Sequence, residues 1–125
     1  MLSIEQIENI KKAEKVIFST SDKTMQPRSV WVIPSRIESD KIILSNIQMG
    51  KSFENIMQNP KCFINVLIPG LDDLQYKIEG VASVFSEGAL FEEIKNYEES
   101  ENLPPELKVN GIIVIDVKNI EESNG

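Results

Sequence analysis

The chain has 125 residues, of which 41% are hydrophobic, a formal net charge of −7 and no histidine. Such a length suffices for one domain around a contiguous core. The acidity argues against a nucleic-acid-binding face and against docking on anionic lipid, both of which need clustered basic residues. The lack of histidine removes the commonest metal ligand, haem ligand and general base. Cys62 is the only cysteine, so no intramolecular disulfide forms, which fits a reducing cytoplasm. The N-terminal MLSIEQIENIKK has no apolar stretch of signal-peptide type, and no apolar run is long enough to span a bilayer. With no internal repeat, low-complexity tract or linker, residues 1–125 read as a single domain.

In chain order, Ser3 with Gln6 has the spacing of a capping box and Leu2 with Ile7 that of a hydrophobic staple. They predict a helix from Ser3 to Ala13 whose stripe Ile4, Ile7 and Ile10 lies over something apolar. VIFST, Val16 to Thr20, reads as a strand and Ser21-Asp22-Lys23 as a turn. Arg28 to Ile33 reads as a second strand, apolar on both faces and therefore interior. Glu38-Ser39-Asp40 is a hairpin turn before a third strand, Lys41 to Asn46. A short helix from Ser52 places Phe53, Ile56 and Met57 on one face and stops at Asn59-Pro60. CFINVLI, Cys62 to Ile68, is a fourth strand. Gln75 to Phe85 alternates cleanly, with Tyr76, Ile78, Gly80, Ala82 and Val84 on one face. Glu87 to Glu98 is helical in pattern, with Leu90, Phe91 and Ile94 apolar. Gly111 to Val117 is the last strand. The order α β β β α β β α β, with short connections, predicts a mainly β fold with flanking helices and an antiparallel barrel rather than a parallel sheet.

The candidate site begins with Arg28, Lys51 and Ser52. Lys51-Ser52 opens a helix, where unpaired N–H groups and the positive dipole end attract an anion. Arg28 can add a two-pronged donor for a phosphate. On spacing alone, solvated surface charges and a plain N-cap explain the same residues. Trp31, the only tryptophan, reads either as a core aromatic or as a wall beside a flat ring. Ser45-Asn46 ends a strand, where turn chemistry accounts for both residues and a heterocycle edge would also use them. Cys62 reads as buried packing, and the acidic run Glu92 to Glu101 as a solvated helix face and loop. The sequence holds no P-loop, no G-x-G-x-x-G and no metal-spaced cysteine cluster.

Taken together, Pro27 to Val66 resembles the core of the pyridoxamine 5'-phosphate oxidase-like FMN-binding split barrels. The shared features are an Arg-led strand after a turn, a strand ending in Ser-Asn, and a Lys-containing helix start closed by Asn-Pro. QYKIEGVASV, Gln75 to Val84, resembles the family's Gln-led strand ending in Glu-Gly. The resemblance implies a six-stranded antiparallel Greek-key split β-barrel that holds FMN in a groove between two subunits of a homodimer. It implies that Arg28, Lys51 and Ser52 hold the FMN phosphate, and that Ser29, Val30 and Trp31 line the flavin. Ser45 and Asn46 would border the ring and ribityl chain, and Gln75 would reach the flavin edge from the partner subunit. The implied chemistry is oxidoreduction or electron transfer with a small-molecule or redox-protein donor; a deazaflavin is the alternative cofactor on related barrels. A flavin carrier or sensor without turnover and a cofactor-free interaction module are the alternative roles.

The chain also departs from the pattern. Gly50 stands where the oxidases have a second basic residue, and Ile33 where they carry a substrate-facing lysine. The oxidases' C-terminal segment, which supplies tryptophan and arginine, has no counterpart here. Pyridoxamine phosphate oxidation is therefore not expected. The lack of histidine sets the chain apart from haem-handling and nitroimidazole-reducing relatives that use one.

Overall fold

A computed structural model of the chain describes residues 1–71 and 73–124. The elements are α1 (Ile4–Ala13), β1 (Val16–Ser21), β2 (Pro27–Val32), β3 (Arg36–Ile37), β4 (Lys41–Asn46), α2 (Lys51–Gln58), β5 (Lys61–Leu67), β6 (Gln75–Phe85), α3 (Ala89–Glu101) and β7 (Gly111–Ser123). The strands form one antiparallel sheet in the order β2-β1-β5-β6-β7-β4-β3. Connections skip neighbours, so that β1 lies beside β5 and β4 beside β7, as expected of Greek-key connectivity. The sheet curls around a core built from the inward residues of alternating strands, including Val16, Phe18, Ile64, Ile78 and Ile115. No ladder joins β2 to β3 among the described residues, so the barrel is split along that line.

The sheet has seven strands where six were expected; the addition is the two-residue β3. Pro34 explains it. Proline carries no N–H for a ladder, so β2 stops at Val32 and Ile33-Pro34-Ser35 carries the chain across the split to the opposite sheet edge. The chain then pairs again, Arg36 with Ile43 and Ile37 with Ile42, around the expected turn at 38–40. Strand β7 also runs past Val117 to Ser123. Its polar end lacks the apolar signal of a strand but pairs with Gln75 to Glu79 of β6. A bulge at Glu79/Gly80 shifts the register midway.

Helices α1 and α2 pack most of the expected stripe, Ile7 with Ile10 and Phe53 with Ile56, against the core, but each leaves one expected residue outside and buries polar ones. The Ser3–Gln6 capping box closes as expected. Ile4, however, is 78% exposed, and the buried face of α1 carries Asn9 and Ile10. Asn9 is the reason: its amide donates to the Tyr76 hydroxyl at 2.8 Å and anchors the helix to the barrel. In α2 the buried residues are Ser52, Asn55 and Ile56, whereas Met57 is 67% exposed. The polar pair faces β1, where the Asn55 amide donates to the buried Thr20 hydroxyl. Helix α3 packs Phe91 and Ile94 with Ile43, Val109, Ile112 and Val114 in a separate apolar cluster on the outer side of β4 and β7.

Strand β2 is the main correction to the expected placement. It is an edge strand rather than an interior one, and Trp31 is 61% exposed. Val30 and Val32 pack toward the core, while Ser29 and Trp31 point to the open face.

Candidate functional site

The split in the barrel holds a cavity of about 850 Å³. Strand β2 and the crossover form one wall with Arg28, Val30, Trp31, Val32, Ile33, Pro34 and Ser35. Ser45 at the end of β4 and Ile47 to Met49 of the following loop form a second wall. Tyr97, Glu98, Asn102 and Leu103, at the C-terminal end of α3, close the third side. Of the expected residues, Arg28, Val30, Trp31 and Ser45 are thus brought together on one surface. Ser45 is buried, and its hydroxyl shares a 2.6 Å hydrogen bond with that of Ser35 across the β3–β4 hairpin.

The other expected residues lie outside the cavity lining. Ser29 turns its hydroxyl to Ser19 on β1 at 2.8 Å, a cross-strand pair on the open face. Asn46 works as a turn residue: its side-chain oxygen accepts from Met49 N–H at 3.1 Å and fixes the loop that lines the cavity. Gln75 sits at the start of β6, paired with Leu67 and Ser123.

Lys51 and Ser52 open α2, immediately after the lining residue Met49. Ser52 is not the N-cap; that position falls to Gly50, at φ 48° and ψ −99°, which offers no side-chain cap. The first turn of α2 therefore keeps amide groups without a side-chain partner. Ser52 is fully buried with its hydroxyl unpartnered among the described residues, as is the side-chain oxygen of Asn55 one turn on. Lys51 lies near the β1–β2 turn, and its charge is one of the influences on Asp22. Hydrogen bonds from the Thr24 hydroxyl and then the Gln26 N–H come first in holding the Asp22 carboxyl below its ordinary value of 3.8.

Arg28, Lys15 and Glu98 all line the cavity, and none forms an ion pair among the described residues. An arginine left free on a concave wall near an uncapped helix start is a fitting receptor for a phosphate. Val30 and Trp31 both line the cavity, from opposite faces of β2, and its volume falls in the range of about 300–1,000 Å³ usual for small-molecule sites. No metal-binding cluster of carboxylate or cysteine groups occurs among the described residues. Cys62 is buried, its sulfur directed at the Gly80 carbonyl, and burial pushes its thiol up to about 12, which makes it an inert packing residue as expected.

The α3 wall was missed in the sequence. The run Glu92 to Glu101 has the composition of a solvated face, and much of it is one. The available signals were the aromatic Tyr97 inside an acidic run and the Leu103-Pro104-Pro105 break that turns the chain back toward β7.

Fold and cavity define a small split-barrel protein with a concave site at the edge of the barrel. The sequence profile of the family described as pyridoxamine 5'-phosphate oxidase matches residues 3–124, and the chain belongs to that family. Among solved structures it is similar to HupZ of Group A Streptococcus, with a TM-score of 0.86 at 21% identity over 100% of this chain and 96% of that one. An FMN-binding protein from Syntrophomonas wolfei subsp. wolfei gives a TM-score of 0.70 at 19% identity over 92% and 86% of the two chains. HutZ, the heme storage protein from Vibrio cholerae, gives 0.72 at 10% identity over 96% and 93%. At these identities the likeness is one of fold. No match occurs among curated protein sequences. No helix of the described chain is long and apolar enough to cross a membrane.

Proposed function

We propose that the protein is an FMN-binding flavoprotein that moves electrons or hydride, working as a homodimer in the cytoplasm. The observation that carries this reading is the cavity in the barrel split, which gathers the unpaired Arg28, the Val30–Trp31 wall and Ser45 on one surface. In this reading Arg28 holds the phosphate together with Lys51 and the amide groups opening α2. The buried Ser52 hydroxyl, without a partner among the described residues, supports a place for it beside them. Val30 and Trp31 flank the ring, and Ser45, held by Ser35, borders its edge. Ser29 and Asn46 support these walls, through Ser19 and the 46–49 loop respectively. When bound, the flavin supplies the redox chemistry, and the protein supplies position, charge and exclusion of water.

The dimer reading rests on the open face of β1 and β2. Trp31 and the half-buried Ile17 face each other across that ladder, and Phe63 lies on the adjoining strand. A second copy seated there would cover Trp31 and bring its own Gln75 toward the flavin edge. The net charge of −7 argues against nucleic acid and anionic membrane as partners, and in this reading a small molecule or a redox protein is the electron donor.

The test is a visible absorption spectrum after FMN loading and desalting, on wild type and on an Arg28→Ala/Lys51→Ala variant. We expect bound-flavin bands in the wild type and loss of most occupancy in the variant. Full occupancy in the variant would sink the phosphate assignment. Flavin that binds but resists every reductant would mark a carrier or sensor, and a protein that stays colourless would mark a cofactor-free interaction module. Uptake of a deazaflavin in preference to FMN would change the cofactor and leave the site standing. Light scattering, with and without FMN, measures the dimer.

A further inference from the structure

Arg28 and Lys51 come to the proposed phosphate site from different elements, β2 and the first position of α2. Three short links beneath the surface connect them. Lys51 and Asn55 are an i, i+4 pair on α2, so their side chains leave the helix as neighbours, with Cβ atoms about 5–6 Å apart. The Asn55 amide donates to the Thr20 hydroxyl at 3.2 Å, and both groups are buried. Thr20 is in turn the cross-strand partner of Arg28 in the β1–β2 ladder. Side chains of such a pair leave the sheet on the same face, so Arg28 departs from β2 on the side where Thr20 meets α2. The other end of the helix is tied separately, by the Asn59 amide donating to the Ser21 hydroxyl at 2.9 Å. The Asn55–Thr20 bond is the tie nearer the helix start.

This cluster buries more polarity than it repays in bonding. Thr20, Asn55 and Ser52 are 5%, 2% and 0% exposed. Their side chains share the single Asn55–Thr20 bond, while the Ser52 hydroxyl and the Asn55 oxygen have no partner among the described residues. A neutral hydrogen bond returns little net stability, and a buried polar atom without a partner costs some. Two apolar groups of the same shape would hold the place as well. What they would lack is direction: the amide–hydroxyl bond fixes where α2 stands along β1, and thereby where Lys51 stands relative to Arg28.

We propose that Thr20 and Asn55 are positioning residues of the anion site, whose buried bond sets the spacing of Arg28 and Lys51 and so the preference for a phosphorylated over an unphosphorylated flavin. The inference rests on the flavoprotein reading and adds to it two residues that lie outside the cavity lining. Both act through the cations, and their contribution is geometry rather than stability.

The experiment measures Kd for FMN and for riboflavin, which lacks the phosphate, by quenching of flavin fluorescence. The proteins are wild type, Thr20→Ser, Thr20→Val, the shape-matched pair Thr20→Val/Asn55→Leu, and Ser21→Ala as a control on the other tie; a denaturant midpoint is recorded for each. We expect wild type to prefer FMN and Thr20→Ser, which keeps the hydroxyl, to retain that preference. Both Thr20→Val proteins should lose about three- to tenfold of it at unchanged riboflavin affinity. The paired variant should keep a midpoint close to that of wild type, and Ser21→Ala should keep the preference. A preference present in wild type and undiminished in both Thr20→Val proteins would overturn this inference alone. An equal loss in Ser21→Ala, or failure of both Thr20→Val proteins to fold, would overturn it too, by making the bond part of the general frame. A wild type that binds riboflavin as tightly as FMN would overturn the phosphate reading itself, and this inference with it.

Discussion

Strands β7 and β2 begin from similar sequences and end in opposite environments. GIIVIDV at the start of β7 and SVWVI, which ends β2 and runs one residue past it, both carry apolar residues on both faces, the pattern of a strand covered from two sides. In β7 the pattern is satisfied within the chain. Ile113 and Ile115 enter the barrel core, while Ile112 and Val114 meet Phe91 and Ile94 of α3. In β2 only Val30 and Val32 find the core, and Trp31, with Ile33 just beyond the strand, remains exposed, at 61% and 65% respectively. The same sequence signal is thus answered by a helix in one place and left unanswered in the other. Our proposal that a second copy of the chain supplies the missing cover follows from that contrast, as does the position of the cavity beside the uncovered strand.

The contrast can be broken first at the covered strand. Ile115 is fully buried, and Ile115→Ala should cost about 2–5 kcal/mol, read as a lowered denaturant midpoint. A near-neutral result would mean that the β7 face is not packed as described. Next comes the bulge that lets β6 and β7 stay paired over their length. A Cβ at Gly80 would stand 2.4 Å from a methyl of Ile115 and 3.0 Å from the Asp116 carbonyl oxygen. Gly80→Ala should therefore destabilise by about 1–3 kcal/mol, with unchanged stability refuting the close approach.

Trp31→Ala sharpens the comparison from the other side. As a change at an exposed site it should alter monomer stability by no more than about 0.5 kcal/mol, yet weaken self-association in sedimentation experiments. If instead it unfolds the monomer, β2 is part of the core after all. The smallest effect is expected at α3. The Lys95 ammonium, then the Val109 N–H, hold the Glu99 carboxyl below its ordinary value of 4.5. A depressed carboxylate contributes stability that is complete above the unfolded-state value and fades as pH falls through the folded one. Acid titration of wild type should show this slight loss below about pH 4.5, with amide exchange in α3 rising first. Glu99→Gln should remove that part of the slope, and an identical slope in the two proteins would show that Glu99 does not anchor the helix.

Much of the barrel was legible because alternation is a local signal. The burial of Tyr76, Ile78, Gly80 and Ala82 in β6 follows directly from their period of two. The end of β7 was not legible, since KNIEES is polar and is a strand only because β6 offers it a ladder. The apolar stripes of α1 and α2 were legible apart from Ile4 and Met57, while the polar residues buried beside them were not. Asn9, Ser52 and Asn55 are polar, and their burial depends on distant residues such as Tyr76 and Thr20. In the site, residues contiguous along β2 were readable as a group, whereas Tyr97 and Glu98 reach the cavity only through the tertiary path of α3. Ser29 and Asn46 fall outside the cavity lining and instead bond Ser19 and the Met49 N–H.

Gly50 bears on how this site can change. A side chain there would find open space, with nothing within 4 Å of its Cβ. The obstacle is the backbone, because φ 48° with ψ −99° lies outside even the left-handed region that other residues tolerate. A lysine introduced at that position would have to rebuild the loop from Ile47 onward before it could contribute its charge. Substitution at Gly50 alone is therefore a strained route from this chain to a more basic helix start. The route would run through the loop first, and the same loop forms a wall of the cavity, so ligand affinity and ligand shape are bound to evolve together here.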